Sequence, residues 1–414
     1  MANHMLEELL PVTETLGAHA PLSGDQVLER AARAAWLTIA EPGDRVAGTL
    51  IAELGAAESF DWLLSARRSE YRGELQQALE RWEPRLDADR IIQLVTAGAR
   101  LGAALCVPGD PAWPDRLDNL GAHAPIGLWL RGEVSLLARP GAAVVGARAS
   151  SPYGDDIAQE IAYDLAEHGL STISGGAYGI DAAAHRAALA GDGMTVAVMA
   201  GGCDRLYPSG NRELLESILA EGLIVSELPP GQSPTRWRFL QRNRVVAALA
   251  AATVVVEAGA RSGALNTANH ASTLGRPLGA VPGPVRSASS VGCHRLIREN
   301  GAVLVAGPED VRELIGSSWC SATQPTQHAG RASEEGSAYD GAGHTAPSLL
   351  QDAEQRRVLD AMPGRGTLPA DELARRAGLG IGATNAALIG LELDGFVEHS
   401  GNGWRLLRKR RRSA

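Results

Sequence analysis

The chain has 414 residues, enough for about two to four domains of ordinary size. Hydrophobic residues make up 45% and charged residues 21%, which is the composition of a folded globular protein and argues against a disordered one. The net charge of −9 argues against a non-specific binder of duplex DNA, although a local basic cleft can still attract nucleic acid.

The N-terminal quarter of the chain has the pattern of a helical domain. Residues 1–22 are mixed in character, and we expect them to be loosely ordered. Over residues 23–108 apolar residues recur at three- and four-residue spacing, which indicates helices that each bury one face. These helices are predicted at 26–39, 45–54, 58–64, 74–81 and 88–101.

Residues 109–316 have a different pattern, in which short apolar runs alternate with helical segments. This alternation predicts an α/β domain with a Rossmann-like parallel sheet core and crossover helices. Ligands of such sheets bind at the carboxyl ends of the strands, near a topological switch point. Strands are predicted at 142–145, 171–174, 195–199, 223–226, 253–256, 278–281 and 303–305, and helices at 155–168, 181–190, 212–221, 239–250, 264–274 and 293–299.

The C-terminal part of the chain predicts a linker and a third unit. Residues 317–347 are rich in Ser, Thr, Gly, Ala and Gln, so we expect a flexible linker. Residues 348–407 have the layout of a winged-helix domain, and residues 408–414 form a basic tail. The winged helix is predicted from helices at 349–362, 370–377 and 381–393, followed by a hairpin at 395–406 with its tip at 401–403.

The first candidate site follows the strand at 142–145. The next helix starts after Ser151, so the amides at its N-terminus are expected to face an anion. Arg148 and Ser150 lie in this turn, and an arginine can donate two parallel hydrogen bonds to a phosphate. The alternative is a structural turn with a surface arginine.

The second candidate site is the glycine-rich turn Ser174-Gly175-Gly176, which again follows a strand and precedes a helix. Binding of NAD is poorly supported, because no acidic residue ends the following strand. Asp181 and His185 lie four residues apart on one helix face and could form a catalytic or metal-binding pair. We favour a helix cap or a packed polar pair, because no third ligand is evident.

The third candidate site combines arginines with an aromatic residue. In the segment 236–244, Arg236, Arg242 and Arg244 surround Phe239 and Asn243. Arginines neutralise phosphates and an aromatic ring stacks on a base, which together suit single-stranded nucleic acid. The alternative is a helix start with solvated arginines and a packed phenylalanine.

The fourth candidate site follows the strand that ends at Glu257. Ser262 and Gly263 suit a phosphate contact, and Asn266 and Thr267 suit a second one. The alternative is a tightly packed turn between a strand and a helix.

Together these segments resemble the DprA/Smf family of DNA-processing proteins. The resemblance rests on six ordered motifs, and it covers residues 110–315 most firmly. The sequence departs from the family pattern at Gly176, at Leu240 and at Arg236, where a lysine is frequent. The motifs are Val145 to Gly154, Ser174 to His185, Gly202 to Asn211 with Tyr207-Pro208, Phe239 to Arg244, Glu257 to Ala268 and Val281-Pro282-Gly283.

The resemblance implies a non-catalytic protein that binds single-stranded DNA without sequence specificity and helps to load a RecA-type recombinase during recombination or natural transformation. It also implies a homodimer and no cofactor or metal. The residues that the resemblance assigns to the DNA groove are Arg148, Ser150, Ser174, Gly175, Gly176, Arg236, Phe239, Arg242, Asn243, Arg244, Ser262 and Gly263.

Two other functions fit the sequence less well. A Rossmann-type nucleotide or nucleoside-phosphate hydrolase is the alternative, but its P-G-G-x-G-T signature is missing, since Pro282-Gly283 is followed by Pro-Val-Arg. A winged-helix transcription factor is disfavoured because the predicted recognition helix at 381–393 has no arginine or lysine. The only lysine is Lys409, so a Walker-type P-loop is excluded.

The location of the protein is predicted from its cysteines and its hydropathy. The four cysteines are far apart in sequence, which suits free thiols in a reducing cytoplasm. No apolar run approaches the roughly 18–20 residues that cross a bilayer, and no secretory signal is expected. We therefore expect a cytoplasmic protein without membrane contact.

Overall fold

The computed structural model describes residues 2–17, 23–66, 70–322, 353–364, 366–400 and 403–407. Helices come first in these ranges, followed by a nine-stranded sheet with helices on both faces, and then by a small helical unit with a hairpin. The first helices are α1 (Ala2–Thr15), α2 (Gly24–Ile39), α3 (Arg45–Leu54), α4 (Ala56–Ser65), α5 (Gly73–Trp82) and α6 (Ala88–Arg100).

The sheet has the strand order β1-β2-β6-β5-β4-β3-β7-β8-β9. Strands β3 to β9 pair in parallel, whereas β1 and β2 add an antiparallel edge. The strands are β1 (Ala104–Cys106), β2 (Leu128–Gly132), β3 (Gly141–Val145), β4 (Ser171–Ser174), β5 (Thr195–Met199), β6 (Leu223–Ser226), β7 (Ala252–Val255), β8 (Leu278–Ala280) and β9 (Val303–Leu304).

Both faces of the central strands are covered by helices. On β3, Ala142 and Val144 share a core with α7, α8 and α13, whereas Ala143 and Val145 share the opposite core with α10, α11 and α12. This burial on both sides explains the continuous apolar runs of the strands. The helices are α7 (Pro152–Glu167), α8 (Ile180–Ala190), α9 (Arg212–Glu221), α10 (Arg236–Leu249), α11 (Ala264–Thr273), α12 (Val291–Glu299) and α13 (Pro308–Ala322).

The topological switch point lies between β3 and β7. The chain leaves β3 towards β4, β5 and β6 on one side, and later returns to β7 and β8 on the other side of β3. The helices that follow β3 and β7 pack on opposite faces of the sheet. Their connecting loops therefore diverge at the carboxyl ends of these two strands, which is where ligands of such sheets bind.

The N-terminal segment differs from the sequence-based expectation. Residues 1–22 were expected to be loosely ordered, but α1 is a helix that packs on α2 and α6. Its Leu9 is fully buried, and Leu16 just beyond the helix is nearly so. The apolar residues of α1 are covered by the helices that follow, which a local pattern does not reveal.

The helical unit and the sheet share one core. Strands β1 and β2 were not predicted, and β1 begins ahead of the expected domain boundary at residue 109. Trp129 on β2 is fully buried among the residues of the helical unit. A Cβ on Gly98 of α6 would lie 2.2 Å from the Trp129 ring, so only glycine allows this close approach.

The C-terminal unit is the predicted winged helix. Three helices and a two-stranded antiparallel sheet enclose a core that includes Leu373, Leu388 and Val397. Helix α13 continues to Ala322, six residues into the predicted linker, while residues 323–347, the hairpin tip at 401–402 and the tail at 408–414 lie outside the described residues. The elements are α14 (Ala353–Ala361), α15 (Ala370–Ala377), α16 (Ile381–Leu393), β10 (Val397–Ser400) and β11 (Gly403–Leu406).

The carboxylate of Glu41, which is largely buried, lies where these three units meet. Arg238 of α10 donates hydrogen bonds of 3.0 and 2.8 Å to Glu41, and Arg85 of the helical unit also donates to it. Arg85 donates in addition to the carbonyl of Arg375 in the winged helix, at 2.9 Å. Burial raises the pKa of Glu41, but Arg238 and Arg85 outweigh it and hold the pKa well below its ordinary value.

No helix within the described ranges is both long enough and apolar enough to span a membrane.

Candidate nucleic-acid interface

Side chains from three segments meet around Phe239 at the carboxyl edge of the sheet. The Cζ atom of Arg148, in the loop after β3, lies 5.0 Å from the centroid of the Phe239 ring. Tyr207, in the loop after β5, lies 5.9 Å from it between ring centroids, and Arg242 of α10 lies 6.0 Å from it. Arg148 and Tyr207 are exposed, so this cluster presents a cation and an aromatic face to solvent.

The predicted site residues divide by exposure. Some are exposed or half-buried at this edge and can reach a ligand, whereas others are buried beneath it. The exposed ones are Arg148, Arg236 and Gly263, the half-buried ones are Ser150, Phe239, Asn243 and Ser262, and the buried ones are Ser174, Gly175, Gly176, Arg242 and Arg244.

Helix α10 directs its arginines to different sides. Arg236, its first residue, is exposed, whereas Arg244 is only 2% exposed. Arg244 donates two hydrogen bonds to the buried Glu227, at 2.7 and 2.6 Å. The sequence-based assignment of Arg244 to a DNA groove is therefore corrected, because its side chain is buried and its Nη1 and Nη2 atoms both donate to this carboxylate.

Arg242 is also buried, and it supports the cluster from below. It donates from Nη1 to the carbonyl of Val198 at 2.6 Å and packs on Gly175, where a Cβ would lie 2.0 Å from Nη1. The carboxyl of Asp181 lies close enough to stabilise its charge. Arg242 is thus a positioning residue for Phe239, and its predicted role as an open DNA contact is corrected.

The polar groups of the turn after β4 form their hydrogen bonds within the protein. Ser174 is buried, and its hydroxyl donates to a backbone carbonyl of β3 at 2.6 Å. The carboxylate of Asp181 accepts the N–H of Gly175 at 3.1 Å and that of Ala177 at 3.4 Å. Because Gly175 and Gly176 are buried as well, this turn forms a floor under the site and not the open face of the groove that the resemblance implied.

Asp181 and His185 are both buried, and each has its own hydrogen-bond partners in the fold. Asp181 holds the turn just described, and burial raises its pKa while Arg242 opposes that shift. His185 is fully buried, with its Nδ1 2.6 Å from the hydroxyl of Thr195. Burial, with a smaller effect of Arg242, lowers the pKa of His185 to about 3.

The N-terminus of α7 is occupied by a carboxylate of the chain itself. Glu257, at the end of β7, accepts hydrogen bonds from the backbone N–H of Ser151 at 2.8 Å and from its hydroxyl at 2.6 Å. The Ser151 hydroxyl in turn accepts the N–H of Gly154 at 3.2 Å. The anion expected at this helix N-terminus is therefore Glu257, and a phosphate cannot take its place without displacing it.

The turn after β7 is joined to α10. The side-chain amide of Asn243 donates to the side-chain oxygen of Asn266 at 3.1 Å and to the carbonyl of Gly263 at 3.4 Å. Ser262 and Gly263 still reach solvent, but Thr267 is buried and cannot make its predicted second contact. Asn243 therefore connects two elements at this edge.

Two exposed tyrosines at this edge were not predicted as site residues. Tyr207 is 48% exposed and Tyr178, in the loop after β4, is 45% exposed. Tyr178 lies in the family motif Ser174 to His185, and Tyr207 lies in the family motif Gly202 to Asn211. The available signal was their position in the loops that follow β4 and β5, as Arg148 lies in the loop that follows β3.

The winged helix lies beside the first turn of α10. The Cζ atom of Arg357 in α14 is 5.0 Å from the centroid of the Trp237 ring. Burial raises the pKa of Asp360, also in α14, and the nearby Arg236 opposes that shift. A carboxylate of the winged helix thus adjoins the exposed arginine at the start of α10.

The chain matches known proteins over most of its length. A profile of the family described as DNA recombination-mediator protein A matches residues 104–316, and a profile of the DprA winged helix domain matches residues 342–403. A Mycobacterium tuberculosis relative named for the DNA processing protein DprA is 42% identical over 382 residues, which span 89% of this chain and 92% of the relative.

Two further comparisons agree with these. The protein Smf of Escherichia coli is 35% identical over 288 residues, spanning 69% of this chain and 72% of that protein. The X-ray structure of DNA processing protein A from Streptococcus pneumoniae superposes with a TM-score of 0.57 and 30% identity. That match covers 69% of this chain and 96% of the pneumococcal one.

Proposed function

The chain belongs to the DprA/Smf family of DNA-processing proteins, and on that premise we propose that it binds single-stranded DNA at the carboxyl edge of its sheet. The exposed Arg148 and Arg236 contact phosphates, and aromatic rings at this edge contact bases. The winged helix is not the main binding element, since its helix α16 carries neither arginine nor lysine.

The observation that carries this proposal is the position of Arg148 over the Phe239 ring. The guanidinium lies 5.0 Å from the ring centroid, and the exposed Tyr207 adjoins the same ring. A cation next to aromatic faces is the combination that binds a phosphate and an unstacked base together. In a duplex the bases are stacked and paired, so these rings favour single strands.

Binding is expected to be independent of sequence. A guanidinium contacts the phosphate backbone, which is the same at every nucleotide, and every base offers a π face to an aromatic ring. Neither type of contact reads the edge of a base.

We propose that the site is not catalytic. The titratable groups near it have structural partners, because Asp181 holds the turn after β4, His185 contacts Thr195 and Glu257 holds the N-terminus of α7. The binding contacts proposed here need no cofactor.

Family membership also supports three broader proposals: the protein helps to load a RecA-type recombinase on the bound strand, it works as a homodimer, and it serves recombination or natural transformation in the cytoplasm. The buried free thiols of Cys106, Cys203 and Cys293 suit a reducing compartment. Light scattering of the purified chain tests the dimer. Recombinase assembly on a strand precoated with single-strand-binding protein, with and without this chain, tests the loading.

The central test is a binding titration of the full chain with labelled oligonucleotides of equal length, single-stranded and double-stranded, at two or more salt concentrations. We expect a clear preference for the single strand, a similar affinity for strands of permuted sequence, and weaker binding as salt rises. Equal affinity for the duplex at moderate salt would contradict the proposal.

A further inference from the structure

We propose that Tyr207 and Tyr178 form the open stacking surface for the bases of the bound strand. This proposal rests on the proposed function, and it changes which side chains hold the bases. The sequence directed attention to Phe239, but the structure places the more accessible aromatic faces on the two tyrosines.

The surroundings of Phe239 limit its capacity to stack. Its ring is half-buried and already has three neighbours, with Arg148 at 5.0 Å, Arg242 at 6.0 Å and Tyr207 at 5.9 Å from its centroid. A base that covers this ring must first displace Arg148 from it. Phe239 is therefore better placed to support Arg148 and Tyr207 than to receive a base alone.

Tyr207 has the solvent-exposed ring that Phe239 lacks. It is 48% exposed, and its ring lies at 51° to that of Phe239, so one edge is supported while much of the ring faces solvent. Such tilted aromatic pairs stabilise both rings in place. Tyr207 also adjoins the Phe239 ring that Arg148 covers, so a strand with a phosphate on Arg148 brings a neighbouring base to this tyrosine.

Tyr178 is fixed next to the same loop. Its hydroxyl accepts the backbone N–H of Gly210 at 3.2 Å, and a Cβ on Gly210 would lie 2.6 Å from that hydroxyl. The side chain of Asn211 donates to the carbonyls of Gly176 and Ala177 at 3.1 and 3.0 Å. These bonds join the loop of Tyr207 to the loop of Tyr178. Because both loops are already ordered, binding of DNA costs little conformational entropy here.

A single exposed tyrosine has no special meaning, because soluble proteins expose many apolar atoms. Tyr163 illustrates this: it is 45% exposed, but it lies against Gly191, which follows α8 and leads to the amino end of β5. The two tyrosines of the proposed surface differ from Tyr163 because they lie at the edge that carries Arg148. Tyr163 is therefore a matched control.

The test compares two strands that differ only in their bases. The full chain and its variants are titrated by fluorescence anisotropy with an oligothymidylate and with an abasic strand of the same length, which keeps the phosphates and removes the bases. We expect Tyr207→Ala to weaken binding of the oligothymidylate by roughly 5- to 150-fold, the range for one stacked base. Binding of the abasic strand should not change.

Further variants separate stacking from packing. Tyr207→Phe should bind like the parent chain, because it keeps the ring, whereas Tyr207→Leu keeps apolar bulk against Phe239 but should lose affinity like Tyr207→Ala. Tyr178→Ala should show a base-dependent loss as well, and Tyr163→Ala should show none. Thermal unfolding of each variant verifies that the fold is retained.

The outcomes are distinct. Unchanged affinity of Tyr207→Ala for the oligothymidylate, or an equal loss on both strands, would overturn the stacking surface while leaving the proposed function in place. Failure of the parent chain to bind either strand would instead overturn the proposed function.

Discussion

Arg244 and Glu227 form a bidentate ion pair, with hydrogen bonds of 2.7 and 2.6 Å between two buried side chains. Removing one partner leaves a buried charge without compensation, which destabilises a fold by about 3–5 kcal/mol. We expect Arg244→Ala to lower the free energy of unfolding by about that amount in urea titrations. If the variant keeps full stability but loses affinity for DNA, Arg244 contacts the strand directly and the structural assignment is wrong.

Arg148→Ala should show the opposite behaviour. Arg148 is exposed and lies over Phe239, so its removal should change the free energy of unfolding by less than about 0.5 kcal/mol. Its loss should weaken binding of a single strand by about 1–3 kcal/mol, the range for a hydrogen bond to a charged group. It should also lower the slope of affinity against salt by about one phosphate. Titrations at several salt concentrations measure both, and unchanged affinity would remove Arg148 from the site.

Gly175 and Gly263 form a matched pair of glycines at the same edge of the sheet. A Cβ on Gly175 would lie 2.0 Å from Arg242 Nη1, whereas a Cβ on Gly263 meets nothing within 4 Å. Gly175→Ala should therefore displace the buried Arg242 and destabilise the fold by about 1–3 kcal/mol, as overpacking does. Gly263→Ala should unfold at nearly the parent temperature, since its backbone is helical. Equal melting temperatures for the two variants would disprove the packing of Arg242 on Gly175.

His185 should contribute to acid sensitivity. Thr195 donates its one hydroxyl proton to the carbonyl of Thr172 at 3.1 Å, so His185 Nδ1 must carry the proton of the His185–Thr195 bond. The remaining nitrogen, Nε2, is buried without a partner among the described residues, so a second proton there has no acceptor.

The pKa of His185 is lowered from 6.5 to about 3. Between these pH values the imidazole is therefore protonated in the unfolded chain and neutral in the folded chain. Its contribution to stability is complete above pH 6.5 and is lost as the pH falls towards 3. His185→Asn keeps an N–H donor for Thr195 and removes the titration. Urea titrations from pH 7 to pH 4 should show a shallower loss of stability for this variant, and parallel curves would contradict the assignment.

Deletion of residues 323–414 should preserve most of the affinity for single strands. This cut retains all of α13, and it removes Asp360, whose carboxylate adjoins Arg236. The deleted segment also includes the basic residues 408–412, so the truncated chain should bind more weakly than the full chain at low salt. At high salt the difference in affinity between the two chains should shrink, because exposed charges are screened. Binding titrations of both chains at two salt concentrations measure this, with circular dichroism to verify folding. A folded truncation without affinity at either salt would place the DNA on the winged helix.

Much of the sheet was predictable because its strands are short apolar runs between helical patterns. The predicted strand at 195–199 and helix at 212–221 have the observed bounds. Strands β1 and β2 were missed, since β1 has only three residues and its identity depends on pairing with β2 across the sheet edge. The pattern of α1 was too mixed to predict a helix, because its burial depends on contacts with α2 and α6.

The sequence predicted which residues come together at the candidate site better than it predicted the direction of each side chain. Motifs at strand ends pointed to one edge of the sheet, and Arg148 and Phe239 meet there. Whether an arginine of α10 faces DNA or the interior depends on distant partners, such as Glu227 for Arg244. No local motif contains that information.

The carboxylate of Glu41 has a consequence for the evolution and engineering of these chains. It comes from the helical unit, but Arg238, which it neutralises, comes from α10, the helix that borders the proposed DNA site. A chimaera that joins the N-terminal third of one relative to the remainder of another keeps this charge balanced only if positions 41 and 238 are inherited together. The three units of this protein are therefore poor candidates for free exchange between homologues, even though a flexible connection was expected before the last of them.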